Sequence, residues 1–165
     1  MPPKKIIREN VVDIVDAWMK KIQNWYEDAE HRNVDTLAAV VSQTPAMIFD
    51  PPIDLTRSDA IAYFVDGCTK LQRHYQFEGK AEEAFSYLQF CYAKLQALAS
   101  RSDIEPDIKR WSLKKLDTLI VAMMEFCQQQ NDAAWQRESE QLVELHVTFM
   151  MGQNDLNLHT PANPY

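Results

Sequence analysis

Glycine is scarce in this chain, which contains only three glycines among 165 residues. Tight β-hairpins depend on glycine and asparagine in their turns, so a protein built from hairpins is disfavoured. The abundant residues are instead Ala, Leu, Met, Gln, Glu and Lys, which have the highest helix propensities. The composition therefore predicts a mainly helical protein.

Long apolar runs are also missing. No stretch approaches the roughly 20 apolar residues of a membrane-spanning helix, and the basic N-terminal residues are not followed by the apolar core of a secretory signal. The three cysteines are odd in number and form no C-x-x-C pair, which fits a reducing compartment better than a disulfide framework. We therefore expect a cytoplasmic protein that does not bind membranes.

The chain also has fewer basic than acidic residues. The formal net charge is −7 and the isoelectric point is about 5.0. Such a chain repels phosphate backbones, so we expect no nucleic-acid partner. Its hydrophobic content of 46% and charged content of 25% are ordinary for a globular protein, and the chain is long enough for one domain with its own core.

What the chain does contain is helical periodicity, with apolar residues recurring every three or four positions in about six stretches. The first predicted helix follows Asn10, a suitable N-cap, and stops near residues 31–33. Asn33 caps a short second helix, and a third begins at Thr56 or Ser58.

The second half of the chain predicts three further helices. The fourth follows Gly79, and the fifth begins at Pro106, because proline is tolerated in a first helical turn. Asn131 and Asp132 end the fifth helix and cap the sixth, and Gly152 suits the residue that closes it.

The predicted fold class is all-α: a single-domain bundle of about six helices. The helical domain covers residues 1–152, and a polar, proline-interrupted tail over residues 153–165 is either flexible or pinned to it. Every residue from 119 to 124 is apolar, so the fifth helix has no water-facing side there and is expected to be central or covered by another subunit.

A Pro-rich crossover over residues 45–57 joins the second and third helices. Pro45, Pro51 and Pro52 exclude a long helix from it, yet the segment carries five large apolar residues: Met47, Ile48, Phe49, Ile53 and Leu55. Either they fold back over the end of the bundle, or some stay exposed and bind a partner. We expect the first arrangement and keep the second as an alternative.

Residues 26–64 read YEDAEHRNVDTLAAVVSQTPAMIFDPPIDLTRSDAIAYF. This stretch, about a quarter of the chain, is similar to the opening of the SnoaL-like, or ketosteroid-isomerase-like, cone fold, in which a long helix, a short helix, an FDP strand and another helix follow in this order. The resemblance implies an α+β fold whose bent sheet encloses a small-molecule pocket.

The cone fold would place a pocket among Trp18, Tyr26, Phe49, Tyr63 and Phe64, with Asp50 or Asp54 as its polar group. The chain after Gly79 departs from the family pattern, because it keeps a helical period where the family has alternating strands. The cone fold is therefore the alternative to the helical bundle.

Signals for chemistry are few. Asp28-x-x-His31 stands alone, whereas a di-iron bundle needs two Glu-x-x-His units and two more glutamates. His74 and His146 lie beside apolar stripes and are predicted to be boundary residues, and the cysteines fall on apolar helix faces. Because no phosphate-binding loop or nucleophile elbow occurs, we expect no catalytic residue, cofactor or metal.

The function that these patterns favour is that of a small interaction or regulatory protein, adaptor-like or chaperone-like and without catalytic activity. We expect a homodimer that binds a further, unidentified protein, because methionine-rich surfaces adapt to partners. The predicted partner-binding residues are Met47, Phe49, Ile53, Leu55, Met123 and Met124. The alternative is a ligand-binding or catalytic pocket protein of the SnoaL-like cone type.

Overall fold

A computed structural model describes the backbone of residues 3–30 and 32–159, and the side chains of residues 14–30 and 32–153. The protein is 83% helical, and no strand occurs in the described ranges. The all-α prediction is confirmed. The cone-fold alternative is wrong, because the segment that would form its FDP strand is a short 3-10 helix, Ala46–Phe49.

Six α-helices follow one another: α1 (Pro3–Glu27), α2 (Val34–Ser42), α3 (Leu55–Phe77), α4 (Ala81–Ser100), α5 (Pro106–Gln129) and α6 (Ala133–His159). Each helix packs against the next in the chain, and α1 also contacts α3. Alternate helices line shared surface depressions, α1 with α3, α3 with α5, and α4 with α6. The helices therefore form two layers, with α1, α3 and α5 in one and α4 and α6 in the other.

Side-chain caps define several of the helix starts. The Asn33 side chain accepts a hydrogen bond from the third residue after it and caps α2, as predicted. Pro106 opens α5 and Asp132 caps α6, also as predicted. The start of α3 is earlier than predicted, because Asp54 accepts a hydrogen bond from the Arg57 amide at 2.8 Å and so serves as the N-cap.

Two other helix ends differ from the prediction. Asn10 lies inside α1 and is not its cap, and α1 ends at Glu27, before the predicted end. Helix α6 continues through Gly152 to His159, so the predicted end at Gly152 is wrong. A glycine inside a helix costs only about 1 kcal/mol relative to alanine, which the neighbouring helix formers offset. His31 and residues 160–165 lie outside the described residues.

The core is one cluster of apolar side chains that runs from α1 to α5. Helix α4 lies between α3 and α5, and its buried Leu88 and Leu95 lie in that cluster. Residues 119–124 of α5 are all apolar and were predicted to have no water-facing side. They do have one, because Val121 is half exposed while Met123 is buried.

The Pro-rich crossover folds back over the bundle. Ile48, Phe49 and Ile53 are buried, and the Phe49 ring meets the Phe64 ring of α3 edge to face at 5.4 Å. Leu55, at the start of α3, is 78% exposed. The arrangement that we expected, in which the apolar residues cover the core, is the one found.

Polar contacts tie the crossover to the connection between α4 and α5. The Ile53 amide donates a hydrogen bond to Glu105 Oε1 at 3.1 Å. Arg101 pairs with the Asp50 carboxylate at 3.1 Å. The 3-10 helix supplies two backbone hydrogen bonds within the crossover, donated by the Ile48 and Asp50 amides. The contacts with Arg101 and Glu105 satisfy further polar groups and place the crossover beside the start of α5.

Phe49→Ala is expected to lower the free energy of unfolding by about 3 kcal/mol, because it removes a buried ring and leaves a cavity. Leu55→Ala, in the same crossover, should change it by less than about 0.5 kcal/mol, since that side chain is exposed. Urea denaturation measures both. Equal effects of the two substitutions would contradict the fold-back arrangement.

Gly152→Ala is expected to raise the free energy of unfolding by about 0.5 to 1 kcal/mol, because alanine favours a helix interior and a Cβ at this position meets no atom within 4 Å. Gly79→Ala is the control and should lower it, since Gly79 has a φ of 77°, which disfavours side chains. A loss of stability in Gly152→Ala would show that α6 ends there.

Candidate functional site

The six predicted partner-binding residues are not brought together. Phe49 and Ile53 of the crossover are buried in the core, and so is Met123 of α5. Met47 is half-buried, as is Met124, and Leu55 alone is well exposed. A buried side chain is not available to a partner, so within the crossover Leu55, and in part Met47, remain accessible in the folded chain.

The pocket that the cone fold would place near α1 and α3 is not formed as expected. Trp18, Phe49 and Phe64 belong to the core. Of the two candidate acids, Asp54 caps α3 and Asp50 pairs with Arg101. Tyr26 and Tyr63, the other two residues of that predicted pocket, line a surface depression between α1 and α3.

An extended recess lies on the other layer, between α4 and α6. It consists of two adjoining depressions of about 270 and 360 Å³. The first is lined by Glu82, Phe85, Gln89, Ala134, Trp135 and Glu138. The second is lined by Gln89, Tyr92, Gln96, Ile120, Met123, Leu142 and Leu145. Because Gln89 lines both, we treat them as one recess, the α4–α6 groove.

Helical spacing explains why these side chains line up. On α4 they recur at intervals of three and four residues from Glu82 to Gln96, which places them along one helix face. Residues Trp135 to Leu145 repeat the spacing on α6. At 1.5 Å per residue the lined face of α4 is about 21 Å long, so the groove runs along most of the helix.

Helix α5 provides the floor of the groove. Ile120 and Met123 reach it from α5, between the two walls. At the end nearest the start of α6, the Phe85 ring contacts the Trp135 ring edge to face at 5.1 Å. Phe126 of α5 stacks on Phe85 at 5.5 Å and also meets Trp135 at 5.6 Å, so this end of the groove rests on a packed aromatic cluster.

The charges of the groove have one sign. Glu82 and Glu138 line the end with the aromatic cluster, and no lysine or arginine lines either depression. In the described part of the chain no ion pair involves either glutamate. The groove is therefore mainly apolar in the depression lined by Leu142 and Leu145, and more polar and negatively charged at the end lined by Glu82 and Glu138.

A chain of hydrogen bonds crosses three helices at this groove. The hydroxyl of Tyr92 on α4 lies 2.7 Å from Nδ1 of His146 on α6, and Nε2 of His146 lies 2.9 Å from a carboxylate oxygen of Asp117 on α5. A carboxylate can only accept, so Nε2 carries the hydrogen. In the neutral imidazole Nδ1 then accepts from the tyrosine hydroxyl.

In this chain of hydrogen bonds, the Tyr92 hydroxyl acts as a hydrogen-bond donor and not as a nucleophile. Burial and the nearby Asp117 carboxylate raise the pKa of Tyr92 to about 12. The phenol therefore stays protonated at physiological pH and continues to donate to His146. The arrangement binds three helices through polar groups that would be costly to leave unpaired in the interior.

Sequence reasoning placed His146 at a core boundary and missed its two partners. The histidine is buried, and its partners lie 54 and 29 residues away in the chain. Helical spacing relates residues three or four positions apart and carries no information on such distant pairs. A polar residue on an otherwise apolar face was the one available signal.

Nucleophilic and metal chemistry find no site in the described residues. Cys68, Cys91 and Cys127 are free and buried, as predicted for core residues. The hydrogen bond with Cys91, together with burial, raises the pKa of the Cys68 thiol, so the reactive thiolate is suppressed. Within residues 14–30 and 32–153, no cluster of three or more His, Cys, Asp or Glu side chains could hold a metal ion.

Among the described helices, none is both long enough and apolar enough to cross a bilayer.

No protein-family model, curated protein sequence or solved structure matches this chain. The interpretation of the α4–α6 groove therefore depends on its geometry and charge.

Tyr92→Phe is expected to lower the free energy of unfolding by about 1 kcal/mol, because it leaves the buried His146 nitrogen without a donor. Tyr87→Phe is the matched control on α4, since Tyr87 stacks on Tyr75 at 5.8 Å and its hydroxyl has no hydrogen bond in the structure. Urea denaturation gives both values. Long-range ¹H–¹⁵N spectra should place the His146 proton on Nε2, and a proton on Nδ1 alone would contradict the chain.

Proposed function

We propose that this protein is a non-enzymatic interaction protein whose α4–α6 groove binds an amphipathic helix of a partner protein. The observation that carries the proposal is the combination of an apolar recess with unpaired carboxylates at one end. Leu145, on the groove wall, is 59% exposed, so the groove presents apolar surface to solvent. An exposed, contiguous apolar recess is the usual mark of a docking site.

The dimensions favour a helix as the occupant. A groove about 21 Å long matches a helix of roughly 14 residues, or four turns. Helices that dock in grooves insert apolar side chains spaced by three and four residues, and the groove walls carry the same spacing. Met123 in the floor adds an adaptable surface, because methionine is flexible and polarisable.

The charge of the groove favours a partner helix with lysine or arginine near one terminus. Glu82 and Glu138 lie together at one end, and neither forms an ion pair with a described side chain. The net charge of −7 also steers basic partners toward the protein. Gln89 and Gln96 on α4 offer hydrogen bonds that do not select a charge.

The hydrogen-bond chain from Tyr92 to Asp117 supports this role by holding the two walls and the floor at fixed distances. A groove with a fixed width loses less entropy when it binds than a flexible one. Tyr92 thus serves the groove twice, as a lining residue and as an anchor of α4. No catalytic step is part of this proposal.

The proposal includes a cytoplasmic location, because the three cysteines are free and buried, which suits a reducing compartment. It also retains the expected homodimer, with a second copy as one occupant that the experiment below distinguishes from a different protein.

Leu145→Asp is expected to abolish partner binding, because it places a charge on the apolar wall of the groove. Val147→Asp is the matched control: it makes the same change two residues away on α6, at a side chain that is 48% exposed and lines neither depression of the groove. Tagged wild type and both variants, each first shown to be folded, would be used to capture partners from the host lysate.

The expected result is a protein that wild type and Val147→Asp retain and Leu145→Asp loses. Hydrogen exchange of the purified complex should then show protection in α4 and α6, and cross-links should map to an amphipathic basic helix of the partner. Protection confined to the crossover, or equal loss with both variants, would contradict the proposal. Sedimentation of wild type alone shows whether a second copy occupies the groove.

A further inference from the structure

A second recess lies on the opposite layer, between α1 and α3, and the proposed function does not use it. It has a volume of about 390 Å³. Its lining residues are Gln23, Tyr26, Asp59, Ala62, Tyr63 and Asp66. We call it the α1–α3 pocket. It combines two phenol rings with two carboxylates and contains no basic lining residue.

The aromatic wall of the pocket is built from both helices. Tyr26 of α1 meets Tyr63 of α3 edge to face, with ring centroids 5.3 Å apart. Trp25 supports Tyr26 from the other side at 5.1 Å. Packed in this way, the rings form a firm surface whose faces attract cations and methylene groups.

A cation of the protein lies beside the pocket, although it does not line it. The ammonium of Lys70, one turn after Asp66 on α3, lies 3.1 Å from the Asp66 carboxylate. The same ammonium lies 5.4 Å from the centre of the Tyr26 ring. A primary amine on an aliphatic chain is thus bound here by a carboxylate and a ring together, which shows the chemistry that the pocket accepts.

Hydrogen bonding fixes the charge of this wall. The Tyr26 hydroxyl donates to the Asp66 carboxylate. Burial, with the hydrogen bond to Asp66, raises the pKa of Tyr26 well above its ordinary value, so the phenol remains a donor. Burial opposes ionisation of Asp66, but the hydrogen bonds from Tyr26 and Lys70 outweigh it and lower the pKa of that carboxyl.

The second carboxylate has no such partner. Asp59 is exposed and forms no ion pair in the described part of the chain. It precedes Asp66 by two helical turns on the same face of α3, which separates the two positions by about 10 Å. In the pocket, the Asp66 carboxylate is therefore already paired, whereas Asp59 forms no ion pair with a described residue. Tyr63 lies between the two in the sequence.

We infer that the α1–α3 pocket binds a linear aliphatic polyamine, with one ammonium at Asp59, its methylene chain on the tyrosine rings and a second ammonium at Asp66 in place of Lys70. A divalent metal fits less well, because no cluster of three ligating side chains occurs in the described residues. An anion is excluded by the charge of the lining residues. This inference is independent of the proposed function.

The test is isothermal titration calorimetry with spermidine as the probe, on the full chain. Saturable binding with one site is expected, and butylamine, which has a single ammonium, should bind more weakly. Asp59→Asn should weaken spermidine binding by about fivefold, the effect of losing one exposed ion pair. Asp35→Asn, an exposed carboxylate on α2 that does not line the pocket, controls for net charge.

A second variant gives a change of opposite sign. Lys70→Gln should tighten spermidine binding by a few fold, because it removes the internal ammonium that competes for Asp66 and Tyr26. Lys114→Gln, an exposed lysine of α5 whose ammonium makes no ion pair or ring contact in the structure, makes the same change in net charge and should have little effect. Circular dichroism and thermal unfolding confirm that every variant is folded.

Three results would overturn the inference. The first is the absence of saturable binding by wild type. The second is an equal loss of affinity in Asp59→Asn and Asp35→Asn. The third is an equal gain in Lys70→Gln and Lys114→Gln, which would show that spermidine responds to net charge and not to the pocket.

Discussion

The packing of α4 between α3 and α5 is the interaction on which the rest of the structure depends. Helix α4 buries apolar side chains toward both neighbours. Helix α6 packs mainly on α5 and reaches α4 through the Tyr92–His146 hydrogen bond and the contact of Trp135 with Phe85. Because α4 and α6 lie on the same side of α5, their unpaired flanks face each other across it. The groove is thus a consequence of stacking the helices in chain order, and no separate element builds it.

The Tyr92–His146–Asp117 chain adds a directional constraint to this apolar packing. Apolar contacts tolerate sliding of one helix along another, whereas hydrogen bonds of 2.7 and 2.9 Å hold only in one register. Loss of either partner would leave a nitrogen of the buried His146 unpaired, which is costly. The network therefore selects one arrangement of the three helices that line the groove.

Helical periodicity was sufficient to predict the fold class and the six helices, because packing preserved the predicted apolar stripes. Helix ends were less predictable. Asp54 and Thr56 are both suitable caps, and Gly152 suits a helix end as well as an interior position, so tertiary packing decides between them. The local resemblance to the cone fold did not predict the structure, because Phe49 of the FDP sequence ends a 3-10 helix here and does not belong to a strand.

The candidate site could not be predicted from the same patterns. Its walls come from helices about 50 residues apart, and the signal that relates them is the pairing of α4 and α6 on α5. Five of the six predicted partner-binding residues are buried or half-buried, because an apolar residue in a loop looks the same whether it covers a core or binds a partner. Only Met123 lies in the groove.

The position of α6 at the end of the stack also has a thermodynamic consequence. A terminal helix that packs mainly on one neighbour can open locally while the interior helices remain folded. Opening of α6 would remove one wall of the groove and break the bonds of His146. A partner that binds only the closed groove therefore stabilises α6 by mass action, and the partner's concentration would set the population of the closed form.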